Sequence, residues 1–303
     1  CVNWRANGKT RANGVLIYKG YLVAEWTFGG PADRRFEVQS VSKSITSMAL
    51  GVALQEGLIP ELDARVKDYF PGFDGGPYSG EITFRHLVTA TSGMKTRITQ
   101  HYYLDPDYMK PGLESRYHNE HSFELARALT YIFGDDLEVV LHDKVLSPLG
   151  SDMSWGGVRG GVCAKRKPRY GAPRQTVKEP DVPDHVSLSD GRQVRQVAGC
   201  IDSHWTAREL ARVGWLYANG GEWNGRRILP SDFVRETMRP VPQPVMEYLK
   251  DPPRDRDFKE LGLTYGFLWW GKKETDGSVS PVWHMGGYGG QFCAVWPEQG
   301  IVL

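Results

Sequence analysis

The 303-residue sequence lacks the features that mark several protein classes. Its formal net charge is +1, so there is no basic excess that would favour nucleic acid or an anionic membrane surface. No apolar run approaches the roughly 20 residues that a membrane-spanning helix needs. The four cysteines contain no Cys-x-x-Cys pair, which excludes an obvious zinc ribbon or dithiol redox motif. Cys163 and Cys200 could form a disulfide or stay free thiols.

Several common catalytic motifs are also absent. His118-Asn119-Glu120-His121 does not match His-Glu-x-x-His, so the zinc-protease arrangement is missing. The glycine-rich stretch 286–290 is not followed by Gly-Lys-Ser or Gly-Lys-Thr, so it is not a phosphate loop. No serine lies in the Gly-x-Ser-x-Gly context of an α/β-hydrolase nucleophile.

The sequence does contain a Ser-x-x-Lys pattern, Ser40 to Lys43, where extended sequence changes to helical sequence. Residues three apart share one helix face, with Cβ atoms about 5–6 Å apart, so Ser40 and Lys43 are predicted to converge. The start of a helix adds a positive dipole end and unpaired backbone N–H groups. A cation beside a serine hydroxyl, with N–H donors for an oxyanion, favours an acyl-transferring serine enzyme. The simpler alternative is that Ser40 only caps the helix.

A second copy of the pattern, Ser92-Gly93-Met94-Lys95, competes with the first. The glycine directly after Ser92 is typical of a turn or a helix end, whereas a nucleophile with oxyanion donors needs a helix start. We therefore assign the nucleophile to Ser40.

A second motif, Tyr117-His118-Asn119, follows a Pro-Gly turn at residues 111–112. The ordinary pKa values of tyrosine and lysine are close, about 10 and 10.4, so a phenol and an ammonium exchange a proton at little cost. Near Lys43 a phenolate is stabilised and can act as general base. We expect Tyr117 to have this role.

Tyr217-Ala218-Asn219 is a rival for the same role. It lies at the end of a predicted helix and is followed by two glycines. Asn and Gly are favoured at helix C-termini, so this copy is better explained as a helix cap.

A third motif is the strand-like stretch Trp283-His284-Met285-Gly286-Gly287. Its glycines allow the backbone to approach a substrate closely. The N–H groups of Gly287 and Ser40 could form an oxyanion hole, in which each donor contributes about 2.7–4 kcal/mol. We expect His284 to face the cleft; the alternative is a structural histidine in a strand.

Strand-like sequence at both ends of the chain brackets a helical middle. A hairpin is predicted over 15–28, and residues 264–270, 282–285, 291–296 and 301 onward are strand-like. Helices are predicted over 40–56, 122–133, 137–146 and 206–217, and residues 58–150 as a whole are expected to be mainly helical.

The simplest packing of these elements is an α+β fold. Residues 1–57 plus 196–303 would form an antiparallel sheet flanked by helices, and residues 58–195 a mostly helical inserted domain. A cleft between the two is the expected ligand site. Because the chain stops inside strand-like sequence, we expect a further strand and a helix beyond residue 303.

Taken in order, Ser40-x-x-Lys43, Tyr117-x-Asn119 and His284-x-Gly286 resemble the motifs of the serine β-lactamase and penicillin-binding-protein superfamily. The similarity is strongest to its class C branch, which includes esterases, D-amino-acid peptidases and nylon-oligomer hydrolases. It covers most of residues 15–303, with further similar blocks at 82–94, 147–150, 206–212, 265–270 and 286–302.

The resemblance implies a β-lactamase/transpeptidase-like fold, with the site between an α/β sandwich domain and an inserted helical domain. It implies Ser40 as acyl acceptor, Lys43 and Tyr117 as the base pair, and Asn119 as a hydrogen-bonding orienter. Ser40 and Gly287 would supply the oxyanion N–H groups. No metal and no organic cofactor are expected.

The third motif departs from the class C β-lactamases, which carry Lys-Thr-Gly where this chain has His284-Met285-Gly286. That lysine pairs with the carboxylate of β-lactams, so its loss weakens a β-lactamase assignment, although some D-peptidases of the branch carry histidine there. We expect Asn119, His284 and Gly286 to bind substrate. Seven aromatic residues could line an apolar acyl pocket or belong to the core: Tyr102, Tyr103, Tyr108, Trp269, Trp270, Trp283 and Trp296.

The motifs together predict a serine hydrolase that cleaves a small carboxylic ester or amide through an acyl-Ser40 intermediate, like an esterase or nylon-oligomer hydrolase. Its partner would be a small-molecule substrate, with no nucleic acid and no membrane span. The alternatives are a D,D-peptidase or β-lactamase, and a non-catalytic binding or sensor domain on the same fold.

Overall fold

A computed structural model describes residues 2–6, 9–96, 107–156, 184–250, 253–257 and 262–303 of the protein. Its helices are α1 (Val41–Gln55), α2 (Val66–Tyr69), α3 (Phe84–Val88), α4 (Glu120–Phe133), α5 (Leu137–Leu141), α6 (Ala207–Ala218) and α7 (Ser231–Thr237), with a 3₁₀ turn at Gly76–Tyr78 and a π-helix at His142–Leu146. Its strands are β1 (Val2–Ala6), β2 (Lys9–Tyr18), β3 (Tyr21–Phe28), β4 (Phe36–Glu37), β5 (Ser115–Arg116), β6 (Ser154–Trp155), β7 (His185–Ser187), β8 (Gln193–Arg195), β9 (Ser203–Trp205), β10 (Glu222–Trp223), β11 (Arg226–Arg227), β12 (Val245–Lys250), β13 (Pro253–Asp257), β14 (Leu263–Tyr265), β15 (Trp270–Lys272), β16 (Trp283–Gly287), β17 (Gln291–Trp296) and β18 (Ile301–Val302).

Strands from both ends of the chain form one antiparallel sheet. Its order among the described residues is β1-β2-β18-β17-β16-β15-β14, with β3 added to β2. The β2–β3 hairpin turns at Lys19 and Gly20, whose φ values of 47° and 85° suit the primed turns that match strand twist. Strand β18 joins the two chain ends by pairing with β2, Ile301 opposite Tyr18. With helices packed on this sheet, the predicted α+β class is confirmed.

Helix α6 lies directly on the sheet. Thr206 caps its start, and Glu209 completes the capping box by bonding back to the Thr206 N–H. A Cβ atom on Gly214 would lie 2.5 Å from Val302 and 2.6 Å from the sulfur of Cys293, so only glycine permits this close contact.

Helix α1 is buried along nearly its whole length, since every residue from 41 to 53 is buried. It packs against β16 of the sheet and against α4 and α5 of the middle segment. Polar side chains tie it to its neighbours: the Ser44 hydroxyl donates to the Leu268 carbonyl oxygen at 2.6 Å and the Thr46 hydroxyl to that of Gly199 at 2.7 Å. These bonds satisfy hydroxyls that would otherwise be costly to bury.

The segment between α1 and α4 contains less helix than the sequence predicts. In its described part, α2 and α3 have only four and five residues. Pro60, Pro71 and Pro77, with glycines 72, 75 and 76, explain the interruption, because proline lacks a donor N–H and glycine favours turns. The predicted helix over 137–146 also changes character after residue 141, where the Ser147 N–H bonds the His142 carbonyl oxygen, five residues back.

The hydrophobic core runs without a break from the sheet into the middle segment. It includes Val15 and Val295 of the sheet, Ile45 of α1 and Leu125 of α4. The division into residues 1–57 plus 196–303 and 58–195 stays a prediction, but α1 contacts elements on both sides of it. Within the described ranges, no helix combines the length and apolar character needed to cross a bilayer.

Candidate active site

Ser40 lies at the start of α1, at the end of a tight turn. Gln39, directly before it, has a φ of 53°, a region that non-glycine residues rarely adopt. The turn is fixed from both sides, because the Val38 N–H donates to the Ser203 carbonyl oxygen at 2.9 Å and the Ser42 N–H to that of Gln39 at 3.0 Å. Strain of this kind persists only where the surroundings enforce it. Ser40 occupies the N-cap position of α1, but its hydroxyl makes no capping bond to the helix, which counts against the alternative that Ser40 only caps α1.

Lys43 carries its ammonium to the Ser40 hydroxyl. The side chain is buried, with 1 % of the residue exposed. Its Nζ donates to Ser40 Oγ at 2.9 Å, to Asn119 Oδ1 at 2.6 Å and to the Cys200 carbonyl oxygen at 3.3 Å. Three acceptors match the three N–H donors of an ammonium group. Their hydrogen bonds offset the free-energy cost of removing the charge from water.

Tyr117 lies against the same ammonium. Lys43 Nζ is 5.2 Å from the centroid of its ring, within cation–π range. The ring also packs against Trp270, with centroids 4.9 Å apart, and edge-on against Tyr265 at 5.8 Å. The structure thus gathers Ser40, Lys43, Tyr117 and Asn119 at the junction of α1 and α4.

Tyr217 lies in a different environment. On α6 it is fully buried against Trp269, with ring centroids 4.7 Å apart. Burial raises the pKa of the Tyr217 phenol, because a phenolate would be poorly solvated there. Such a phenol is unsuited to proton transfer near neutral pH.

The third motif forms β16, whose register places His284 opposite Trp270 of β15. Burial lowers the pKa of His284, so its imidazole is neutral at neutral pH. A Cβ on Gly286 would lie 3.2 Å from the Trp270 ring, and a Cβ on Gly287 would collide with the carbonyl oxygen of Val38. Strand β16 therefore ends against the segment that leads into Ser40, where a side chain at position 287 would not fit.

Three residues at or beside the site carry no obvious pattern in the sequence; one of them, Gln291, lies opposite Gly287 in the sheet. The Cys200 carbonyl oxygen binds Lys43, and a backbone role has no side-chain signature. Trp270 contacts Tyr117, but the sequence around Trp270 is equally typical of a core residue and of a pocket residue. Gln291 is 1 % exposed, and neither atom of its amide has a hydrogen-bond partner among the described residues. A buried polar residue after a glycine run is the one signal that could have singled out Gln291, since an unpaired buried amide is costly.

Ser92, the serine of the second Ser-x-x-Lys copy, is buried in a turn away from its own lysine. Gly93 has a φ of 68°, as expected of a glycine turn. The Lys95 ammonium lies 5.0 Å from the ring centroid of Tyr108. The Ser92 hydroxyl instead contacts Nδ1 of His121 at 2.9 Å.

The remaining predicted residues fall into three groups. Trp269 and Trp283 are buried in the core, whereas Trp270 borders the site. Cys293 is a buried free thiol, and Cys200 is buried as well. Cys163, Tyr102 and Tyr103 lie outside the described residues.

Two further observations limit where a ligand or metal would bind. A cavity of about 520 Å³ lies apart from the Ser40 cluster, with Phe70, Arg127 and His185 among its lining residues. Over the part of the chain that the structure describes, no group of three or more His, Cys, Asp or Glu side chains is arranged to hold a metal ion.

Known proteins share this fold and part of this sequence. A penicillin-binding-protein homologue from Caulobacter crescentus superposes with a TM-score of 0.68 at 17 % identity, covering 97 % of this chain and 85 % of that one. A D-stereospecific amidohydrolase from Streptomyces gives a TM-score of 0.62 at 18 % identity, covering 96 % and 88 %. The superpositions establish a shared fold, and at identities this low they establish the fold alone.

By sequence, an uncharacterized protein of Alkalihalophilus pseudofirmus is 24 % identical over 243 residues, which is 78 % of this chain. The chain spans 60 % of the length of that curated relative. The sequence profile described as Beta-lactamase matches residues 10–303, nearly the whole chain. The chain therefore belongs to the β-lactamase family.

Proposed function

We propose that this protein is a serine hydrolase that cleaves a small carboxylic ester or amide through an acyl-Ser40 intermediate. The observation that carries the proposal is the hydrogen bond from Lys43 Nζ to Ser40 Oγ, with Tyr117 against the same ammonium. A partly exposed hydroxyl, a buried cation and a phenol together form an activated nucleophile.

The proton route follows from the hydrogen bonds of Lys43. Lys43 Nζ lies within hydrogen-bonding distance of three oxygen atoms, so we assign it the role of an orienting cation and not that of the base. We therefore assign general-base catalysis to the Tyr117 phenolate, which the adjacent charge of Lys43 stabilises. Ser40 Oγ attacks the carbonyl carbon and loses its proton to Tyr117. Tyr117 then returns that proton to the leaving oxygen or nitrogen as its bond to carbon breaks.

Water completes the reaction by the same route in reverse. Tyr117 takes a proton from a water molecule and the hydroxide attacks the acyl carbon. The bond from Ser40 Oγ to that carbon then breaks as Tyr117 returns the proton to Ser40 Oγ, which releases the acid and restores the free enzyme. The oxyanion formed in each half-reaction would accept hydrogen bonds from the N–H groups of Ser40 and Gly287. Support for this hole comes from β16, which ends against the segment leading into Ser40.

The third motif favours a substrate without a carboxylate at this position. Where a lysine would offer a cation, His284 offers a neutral imidazole. Beside it, Trp270 presents an aromatic surface next to Tyr117. We therefore favour a small ester or amide with no carboxylate beside His284, in the manner of an esterase or nylon-oligomer hydrolase, and we place His284, Gly286 and Asn119 at the substrate.

Turnover of p-nitrophenyl butyrate and of a p-nitroanilide by the wild type and by Ser40→Ala tests the proposal. We expect Ser40→Ala to lose activity by about 10³-fold or more, since it removes the attacking atom. The matched control is Ser47→Ala, which removes a buried hydroxyl of the same helix and should keep wild-type turnover. Mass spectrometry should show an acyl adduct on Ser40 in the wild type.

Three outcomes would contradict the proposal in different ways. Unchanged turnover in Ser40→Ala removes Ser40 from the mechanism. Nitrocefin hydrolysis, or a stable penicillin adduct without ester turnover, assigns the protein to the D,D-peptidases or β-lactamases. A folded wild type that a fluorophosphonate probe fails to label supports a non-catalytic binding domain.

A further inference from the structure

Ser92 and His121 form a buried hydrogen-bonded pair that the proposed reaction does not use. Ser92 Oγ lies 2.9 Å from His121 Nδ1, and the two residues are 1 % and 0 % exposed. A serine bonded to a histidine is also the beginning of a nucleophilic site. Burial denies a substrate access to this hydroxyl, so the pair needs another explanation.

The hydrogen bonds of the pair fix its tautomer. His121 Nε2 lies 2.8 Å from the Arg116 carbonyl oxygen, which can only accept, so Nε2 carries the proton. Nδ1 then has a lone pair and accepts a hydrogen bond from the Ser92 hydroxyl. Ser92 Oγ in turn accepts the N–H of Met94 at 3.3 Å. The result is a directed chain that runs from Met94 through Ser92 and His121 to the Arg116 carbonyl oxygen.

The chain ends on the peptide group that joins Arg116 to Tyr117. His121 holds the oxygen of this peptide, and its N–H, which belongs to Tyr117, donates to the Met246 carbonyl oxygen at 2.8 Å. One peptide group is thus held from α4 on one side and from β12 on the other. Its orientation sets the direction in which the Tyr117 side chain leaves the backbone.

Residues around Tyr117 strengthen this hold. The ring of His118, the next residue, stacks on the ring of His121 with centroids 4.0 Å apart and planes 22° apart. The Arg116 N–H donates to the Ala90 carbonyl oxygen at 2.8 Å, so the residue before Tyr117 is fixed as well. Tyr117 therefore sits in a backbone that is held on both sides.

We propose that His121, oriented by Ser92, is a positioning residue that holds the Tyr117 phenol beside Lys43. This inference rests on the proposed function, because it assumes that Tyr117 transfers the proton. His121 contacts no reacting atom and acts through the Arg116–Tyr117 peptide. A displacement of about 1 Å in a reacting group can cost about 10²-fold in rate, so a mispositioned Tyr117 should slow the chemical step.

Three variants test the positioning role. His121→Leu removes both hydrogen bonds of the imidazole, Ser92→Ala removes the hydroxyl, and His121→Gln keeps an acceptor and a donor. With p-nitrophenyl butyrate, we expect kcat of His121→Leu to fall about 10- to 100-fold while KM stays within about two-fold. His121→Gln should recover most of that loss, and the pH profile of kcat/KM should shift in His121→Leu and Ser92→Ala.

Leu129→Ala is the matched control for a loss of packing. Leu129 is fully buried in α4, two turns beyond His121. Its truncation should lower the unfolding temperature yet keep kcat and the pH profile at wild-type values. A fall in kcat as large as that of His121→Leu would overturn the proposal, because it would show a general structural effect.

The outcomes separate this inference from the proposed function. Absence of Ser40-dependent turnover in the wild type overturns both. Ser40-dependent turnover with wild-type kcat in folded His121→Leu overturns the positioning role alone. If His121→Leu fails to fold, Ser92→Ala decides: a lower kcat with a shifted pH profile supports the role, and wild-type values for both overturn it.

Discussion

The Lys43 ammonium donates to Asn119 Oδ1 at 2.6 Å, across the junction between the first turns of α1 and α4. Asn119 is the N-cap residue of α4, but its side chain makes no capping bond to that helix. Capping by asparagine is worth about 1 kcal/mol, and here the amide is directed to the lysine instead. Both helix starts carry positive partial charge, so a cation placed there needs such an acceptor. The start of α4 therefore lacks the stabilisation of a side-chain cap, and the Asn119 amide fixes the Lys43 ammonium instead.

Lys43→Met should abolish most of the hydrolase activity. The change removes the charge that stabilises the Tyr117 phenolate, and general acid–base catalysis contributes about 10²–10⁴-fold. Steady-state turnover of p-nitrophenyl butyrate measures the loss. The matched control is Lys95→Met, in the second Ser-x-x-Lys copy, whose ammonium lies over Tyr108. Equal losses in the two variants would contradict the role assigned to Lys43.

Asn119→Ala should reduce both stability and rate. Lys43 would lose its shortest hydrogen bond, and a buried donor without a partner costs about 1–3 kcal/mol. We expect kcat to fall by about 10²-fold, because the ammonium is no longer held between Ser40 and Tyr117. Urea unfolding and kcat measure the two effects. Asn219→Ala, at the end of α6, changes an amide whose bond is to the Glu222 carbonyl oxygen and should leave kcat unchanged.

Gly287→Ala should displace the end of β16 from the segment before Ser40. The added methyl group would collide with the Val38 carbonyl oxygen, which cannot move without disturbing the turn at Gln39. Overpacking of this kind costs about 1–3 kcal/mol. Loss of one oxyanion donor should lower kcat by about 10²–10³-fold. Gly80→Ala is the control, since a Cβ there meets nothing within 4 Å. Wild-type kcat in Gly287→Ala would contradict the oxyanion role.

Acidification should destabilise the protein through its buried imidazoles. Burial, with a smaller effect of the Arg116 and Lys43 charges, lowers the pKa of His121 to about 3, against about 6.5 in an unfolded chain. Between these values the unfolded state binds a proton that the folded state does not. Stability therefore falls as the pH drops below about 6.5, by up to about 1.4 kcal/mol per pH unit for this residue.

Urea unfolding of the wild type and His121→Gln between pH 7.5 and 4.5 measures that contribution. Burial also lowers the pKa values of His118 and His284, and both residues are present in the two proteins. The difference in slope therefore reports His121 together with its effect on the pKa of the stacked His118 imidazole. The wild type should lose stability more steeply than the variant as the pH falls, and superimposable slopes would contradict the assignment.

Local patterns predicted local structure well where one interaction dominates. The hairpin at Lys19-Gly20, the start of α6 at Thr206 and the end of α1 near Gly57 all follow from turn and cap chemistry within a few residues. The prediction was wrong for the segment before α4, which was expected to be mainly helical. There, proline and glycine ended each helix after about one turn, and tertiary contacts shaped the remainder.

The sequence by itself determined that the Ser40 and Lys43 side chains would meet, because residues three apart on one helix are neighbours whatever surrounds them. Only the tertiary structure decided which other groups accept hydrogen bonds from the Lys43 ammonium. They are an amide oxygen 76 positions and a carbonyl oxygen 157 positions away from Lys43 in the sequence. The tertiary structure also decided that the Ser92 hydroxyl would meet His121 instead of Lys95. Such pairings depend on how α4 and the residues around Cys200 pack against α1, and long-range packing leaves no periodic pattern in a sequence.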